Sequence, residues 1–393
     1  MKKNNIIYLG ILIAIVALTS AQSIAQSKTS TRDSIRQIFL KTVDHAEIYS
    51  SGFLLHSDEL NLHEGFTSGE SKGVVVNSCT PYYTASITKT LTATAIAVLV
   101  DDGLLSFDDR MYKYLPRELV EGLHVYDGYE YSREITIDQL LSHQSGLPDY
   151  WEDEPTSGSN MMGMLFEKPD YFWQPEELIP FTRENFKAKF APGTGYHYSD
   201  TEYVLLGLII QRLANMPLHE FFLTRIFQPL EMNSSWMHLR SEAIDASTPT
   251  MAGFYFGSDD LSGLTSLSAD WAGGGLVSTS GDLLRFMSGL INGQLVSEAS
   301  LERMQHWVPE SYGTSYGYGL RKWELKSFAP SLGELTLIGH SGTSSAYMYY
   351  CPELDTYFTG TFNQINFMEA HIKMIIEMLA QVSAYAQSER SGQ

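Results

Sequence analysis

Strand-like sequence lies at the two ends of this chain and helical sequence fills the middle, so any sheet it forms must be closed from both ends. Near the start, strand-like pieces occupy 48–55 and 60–66, with a turn at Ser57-Asp58-Glu59. Near the end, alternating patterns return at 316–325, 335–338, 347–351 and 357–362. Helical spacing marks 34–43 through Ile35, Ile38, Phe39 and Val43, then 85–100, 137–142, 202–215, 281–291 and 367–385. The apolar run 85–100 stops at Asp101-Asp102-Gly103, where Gly103 is placed to terminate a helix. The segment 151–180, rich in Pro, Gly and aromatics, reads as an elaborated loop. The expected fold class is therefore α/β (α+β), one sheet made from both ends with an inserted all-helical lobe. Its sheet lobe would take 34–100 and 270–385, its helical lobe 104–269, within one domain at 26–393. A cleft is expected at the seam between the lobes.

Composition narrows the function. An apolar fraction of 44% supplies a core and excludes wholesale disorder. The 46 acidic against 26 basic residues give a net charge of −20, a field that repels a phosphate backbone and excludes nucleic acid as a partner. Lys2 and Lys3 precede the uncharged run 6–18 and then the small residues Thr19-Ser20-Ala21 and Ser23-Ile24-Ala25, the order of a secretory signal peptide at 1–25. As a helix that run spans about 20 Å, short of the roughly 30 Å hydrocarbon core, so no stable membrane anchor is expected. The mature protein is expected to be exported, periplasmic or secreted. There an oxidising environment permits a bridge between Cys79 and Cys351, with two separate thiols as the alternative. Two distant cysteines and the lack of an H-E-x-x-H motif give no zinc-site signature. No metal and no cofactor is implied.

Chemistry-bearing residues gather at three places. Ser86-Ile87-Thr88-Lys89 opens the apolar helix, and residues three apart share a helix face, so hydroxyl and amine can meet. A serine needs a neighbouring base, and a lysine of ordinary pKa about 10.4 must be shifted down by roughly three units to act as one. Tyr198-Ser199-Asp200 precedes the helix at 202–215, where a phenol and a short polar side chain two residues apart can project together. Gly339-His340-Ser341-Gly342-Thr343 follows a strand-like stretch. A glycine on an edge strand would let substrate backbone lie close, and a nearby N–H would serve an oxyanion.

In this order the three sites resemble the S-x-x-K, Y-x-N and K/H-x-G motifs of the serine β-lactamase and penicillin-binding protein superfamily, in its branch of class C β-lactamases, D-alanyl-D-alanine carboxypeptidases and esterases. Similar stretches include 135–150 (ITIDQLLSHQSGLPDY), 229–235, 272–286 (AGGGLVSTSGDLLRF) and Tyr318-Gly319-Leu320, so the likeness runs from about 40 to 375. The resemblance implies a β-lactamase-like fold, an antiparallel sheet flanked by helices, with Ser86 as acylated nucleophile, Lys89 as its partner and Tyr198 as proton shuttle. It puts His340 where some relatives have lysine, Asp200 and Gly342 in the substrate site, and the oxyanion hole at the N–H groups of Ser86 and Thr343. One departure stands out: Asp200 replaces the family's Asn, so a donor is lost and a carboxylate beside Lys89 would raise its pKa.

The expected activity is hydrolysis of an amide or ester through an acyl-serine intermediate, with β-lactams, cell-wall D-peptides and small esters as candidate substrates. Two alternatives stand beside it. One is a non-catalytic penicillin- or ligand-binding member of the same fold. The other is a Ser-His-Asp esterase using Ser315 of Gly313-Thr314-Ser315-Tyr316-Gly317, which would need a strand–turn–helix setting. His143 in LLSHQSGLP is expected to be a packed, hydrogen-bonded histidine.

Overall fold

A computed structural model describes residues 28–391; the expected signal segment at 1–25 lies outside them. Helix α1 (28–43) leads into strands β1 (Ser50–Ser57), β2 (Leu62–Ser71) and β3 (Val74–Val75). The helices that follow include α2 (Thr88–Asp101), α3 (Ile137–Leu141), α4 (Met161–Glu167), α5 (Pro175–Asn185), α6 (Asp200–Ala214) and α7 (Ser280–Ile291). The chain then returns to the sheet as β4 (Val308–Ser311), β5 (Thr314–Tyr316), β6 (Arg321–Glu324), β7 (Thr336–Ser341), β8 (Tyr347–Cys351) and β9 (Thr356–Thr361), and closes with α8 (Ala370–Ser391). These strands form one nine-stranded antiparallel sheet in the order β4-β5-β6-β7-β8-β9-β1-β2-β3. The junction of the two ends is the β1–β9 pair, in register from Gly52 against Thr361 to His56 against Tyr357.

Two cores follow from this layering. On one face, Ile35, Phe39 and Val43 of α1 meet Met374, Ile375, Met378 and Leu379 of α8 over Phe53, Leu55, Tyr349 and Phe358 of the sheet. On the other face lies the larger core, with α2 at its centre. From Thr88 to Leu99 every residue of α2 is buried, and its threonines at 88, 90, 92 and 94 each spend their hydroxyl on a backbone carbonyl, as buried polar groups must. Gly103 follows it at φ +73, the left-handed geometry that ends a helix without a Cβ clash.

Two local expectations are corrected. The segment 151–180 is not simply a loop, because it holds α4 and the start of α5. Asn160 caps α4 by accepting from the Gly163 N–H, and Gln174, Pro175 and Glu177 start α5 with a capping box and a proline in its first turn. The strand expected over 316–325 is broken: Gly317 and Gly319 carry the chain out of the sheet between β5 and β6. Cys79 is exposed and Cys351 buried, and both are free thiols. Among the described residues no helix is long and apolar enough to cross a membrane.

Candidate active site

Ser86 sits in a single 3-10 turn, Ala85–Ile87, between the short strand Tyr82–Tyr83 and α2. Ala85 adopts φ +47, a left-handed conformation costly for a residue with a Cβ and common where a site holds strain. The turn presents the Ser86 hydroxyl, half-buried, at the mouth of a pocket shared with Tyr198, Asp200, Asp270 and Thr343.

Lys89, one helical turn on, is fully buried. Its ammonium donates to Ser86 Oγ at 3.2 Å, to the Gly273 carbonyl at 3.0 Å and to Asp200 Oδ1. Three donors therefore have three acceptors, the arrangement of a charged lysine. Burial alone would push the Lys89 pKa down, but the charges of Asp200, Tyr198 and Asp270 outweigh it and hold the amine above its ordinary value. The downshift that a lysine base requires is absent. Tyr198 lies beside the ammonium, with 4.9 Å from Nζ to its ring centroid. Burial pushes its phenol up to about 12, against the opposing charge of Lys89 and hydrogen bonding to Ser86. Both groups are thus protonated at neutral pH.

Close backbone approaches build this geometry. A Cβ on Gly273 would meet Asp200 Oδ1 at 2.3 Å, and one on Gly319 would meet the Lys89 carbonyl at 2.5 Å. The AGGG and YGL stretches are thereby packed directly against the helix that carries Lys89. His143 is fully buried beneath the site, its ring 4.3 Å from that of Tyr198 and its Nδ1 on Glu202.

Three carboxyls that sequence reasoning had not placed in the site join Asp200 around Lys89. Asp149 is buried and accepts from the N–H groups of Asp200 at 3.0 Å and Trp151 at 3.2 Å; burial and the charge of Asp200 hold its pKa well above the ordinary value. Asp270 accepts from the Tyr83 hydroxyl at 2.8 Å, and burial, then the charge of Asp200, push it up to about 7. Glu152 stands at the rim, raised by burial and by Asp200. Asp149 lies within LPDY and Asp270 two residues before AGGG, but only folding brings them within reach of Lys89.

The third motif is placed differently from expectation. His340 does not line the pocket: it is 1% exposed, with Nε2 3.0 Å from the Tyr316 hydroxyl and Nδ1 2.7 Å from the Ser341 carbonyl. Burial and the charge of Arg321 hold it neutral. Its strand β7 is interior rather than an edge, although the pairing with β6 ends at Arg321 opposite Gly339. Gly342 serves the protein's own packing, since a Cβ there would meet the Thr84 carbonyl at 2.2 Å; Thr343, beyond it, reaches the pocket. Ser315 lies in β5, paired with Pro309 and Lys322. No helix follows it, so the nucleophile-elbow alternative fails.

Comparison with known proteins shows the family and the fold. The family model described as Beta-lactamase matches residues 45–382. Penicillin-binding protein 4* of Bacillus subtilis is 28% identical over 67% of this chain, which spans 55% of that relative's length. The putative penicillin-binding protein PbpX of the same organism is 27% identical over 77% of the chain and 68% of its own length. Among solved structures, a D-stereospecific amidohydrolase from Streptomyces superposes with a TM-score of 0.72 at 25% identity, covering 88% of this chain and 97% of that one. EstCE1, a hydrolase with promiscuous acyltransferase activity, gives 0.72 at 16% identity over 90% and 99%.

Proposed function

This chain belongs to the Beta-lactamase family, and from that premise we propose that it is an exported serine hydrolase working through an acyl enzyme on Ser86. The observation that carries the reading is the convergence of the Ser86 hydroxyl and the protonated Tyr198 phenol at one pocket, with the fully donated Lys89 ammonium buried against both.

Because Lys89 and Tyr198 are both protonated, neither begins as a free base. The step that fits is a relay. As Ser86 Oγ forms its bond to the substrate carbonyl, its proton passes to Tyr198, whose own proton passes to the departing alcohol or amine. The bond to the leaving group then breaks and the acyl–Ser86 ester remains. Lys89, held charged by Asp200, stabilises the negative charge that develops on the two oxygens during transfer. The N–H groups of Ser86 and Thr343 receive the carbonyl oxygen. Water releases the acyl group by the same path in reverse.

The pocket also favours one substrate class. Its walls are apolar, with Trp151, Met162, Leu165, Phe254, Leu261 and Leu267, and its ionisable groups are Glu152, Asp200 and Asp270. Among the described residues that line it, none is Lys, Arg or His. Asp200 is already paired with Lys89 and Asp270 is only partly ionised at neutral pH, so the pocket offers a substrate carboxylate no unpaired cation, and a neutral or amine-bearing ester or amide suits it better. Amides and esters of D-amino acids, in keeping with the likeness to the D-stereospecific amidohydrolase of Streptomyces, therefore stand ahead of D-Ala-D-Ala peptides and penicillins.

Intact mass and product release test this with a p-nitrophenyl ester, a D-amino acid amide, a D-Ala-D-Ala peptide and a penicillin, using wild type and Ser86→Ala. Turnover of the first two, lost in Ser86→Ala, is expected. A stable penicillin adduct without turnover would point to the binding protein, and hydrolysis surviving Ser86→Ala would refute the assignment.

A further inference from the structure

On the β1–β2 hairpin, at the edge of the sheet remote from the serine, two histidines and an aspartate form a group unconnected with hydrolysis. His56 and His63 are directly opposed in the antiparallel register. Their Nδ1 atoms are 2.8 Å apart and their rings 4.4 Å between centroids. Asp58, in the connecting turn, puts Oδ1 3.4 Å from His56 Nε2 and 3.9 Å from His63 Nε2. One donor atom from each residue fits a cluster with no pair more than 4.8 Å apart.

The three side chains converge from two paired strands and the turn between them, with a ring nitrogen of each histidine within 4 Å of the same Asp58 carboxylate oxygen. We propose that His56, Asp58 and His63 form a binding site for a divalent transition metal of borderline softness, Zn²⁺, Cu²⁺ or Ni²⁺. Two imidazoles and a carboxylate match the donor preference of these ions, and ligand bonds of about 2.0–2.2 Å need donors about 3–4 Å apart, a small side-chain adjustment from what is seen.

The frame is fixed before any ion binds. The turn is tied by the Leu60 N–H to Ser57 Oγ at 3.2 Å and the Asn61 N–H to the Asp58 carbonyl at 3.1 Å. Asn61 takes the left-handed φ of +49 that closes it. The side chain of Asp58 is 82% exposed, so the ion has an open entry path and water completes its coordination. His56 lies three residues, about 10 Å, along β1 from Phe53, which shares a row through Gly360 and Tyr347 with Ser341 of the third motif. Metal binding is therefore expected to act on the hairpin and not on acylation.

The test uses untagged protein stripped with chelator and titrated separately with ZnCl₂, CuCl₂ and NiCl₂, with calorimetry and thermal melts as readouts. One ion per chain with micromolar affinity is expected, together with a rise in melting temperature. Both are expected to be lost in His56→Ala and His63→Ala, and affinity to fall about tenfold or more in Asp58→Asn, while ester turnover stays unchanged in all three. Electron paramagnetic resonance of the wild-type Cu²⁺ form needs no variant to fold and should show two nitrogen ligands. Absence of binding at about 100 µM free ion, unaltered affinity in the histidine variants, or a nitrogen count other than two would overturn the proposal.

Discussion

Asp270 offers a direct measure of what crowded carboxyls cost this fold. Its pKa is raised from an ordinary 3.8 to about 7, by burial first and the charge of Asp200 second, against the pull of Lys89 and of the Tyr83 hydrogen bond. Between about pH 4 and 7 the unfolded chain has released this proton and the folded chain still holds it. Stability therefore falls as pH rises through that window and levels off above it. At about 1.4 kcal/mol per pH unit the full cost above pH 7 is about 4 kcal/mol. Readjustment of the groups around it as Asp270 ionises lowers this to on the order of 2–4 kcal/mol. Asp270→Asn removes the charge and keeps an acceptor for the Tyr83 hydroxyl. The variant should be more stable than wild type by about 2–4 kcal/mol at pH 8 and equal to it near pH 4, in urea unfolding across that range. An equal difference at both pH values, or a less stable variant at pH 8, would refute this account of the cluster.

The other substitutions address the chemistry. Asp200→Asn takes the nearest counter-charge from Lys89 and restores an amide donor, so kcat on an amide is expected to rise about tenfold while an activated ester changes little; equal responses would sink the argument from the lost donor. Tyr198→Phe removes the relay and should lower amide kcat by about 10²–10³ with KM nearly unchanged and the melting temperature preserved. Gly342→Ala forces the Thr84–Ser86 turn away from a Cβ that would sit 2.2 Å from the Thr84 carbonyl. Acylation, followed by the burst of ester product, should slow by about 10²-fold.

Much of this molecule was readable in one dimension because its signals are local. The apolar run ahead of Gly103 shows α2, short runs rich in aromatic and β-branched residues show β7 to β9, which are buried on both faces, and the three spacing motifs point to Ser86, Lys89 and Tyr198. Where local signals conflict, reading fails: the Pro- and Gly-rich stretch at 151–180 hides two capped helices, although Asn160, Pro175 and Glu177 are helix-start residues. His340 illustrates another limit, since its motif position is plain but its burial depends on Tyr316 of β5, two strands away in the sheet.

The mixed fold, the acidic charge and a serine and a lysine one helical turn apart could all be read from the order of residues, because each depends on composition or on neighbours within a few positions. The protonation of that lysine is a tertiary property, for it depends on Asp200, Asp270 and the Gly273 carbonyl, which lie 111 and more residues away along the chain. The His56–His63 pair is of the same kind: seven residues of spacing have no meaning until antiparallel register sets the two rings face to face. Charge balance and ligand geometry are properties of distance in space, and folding alone supplies those distances.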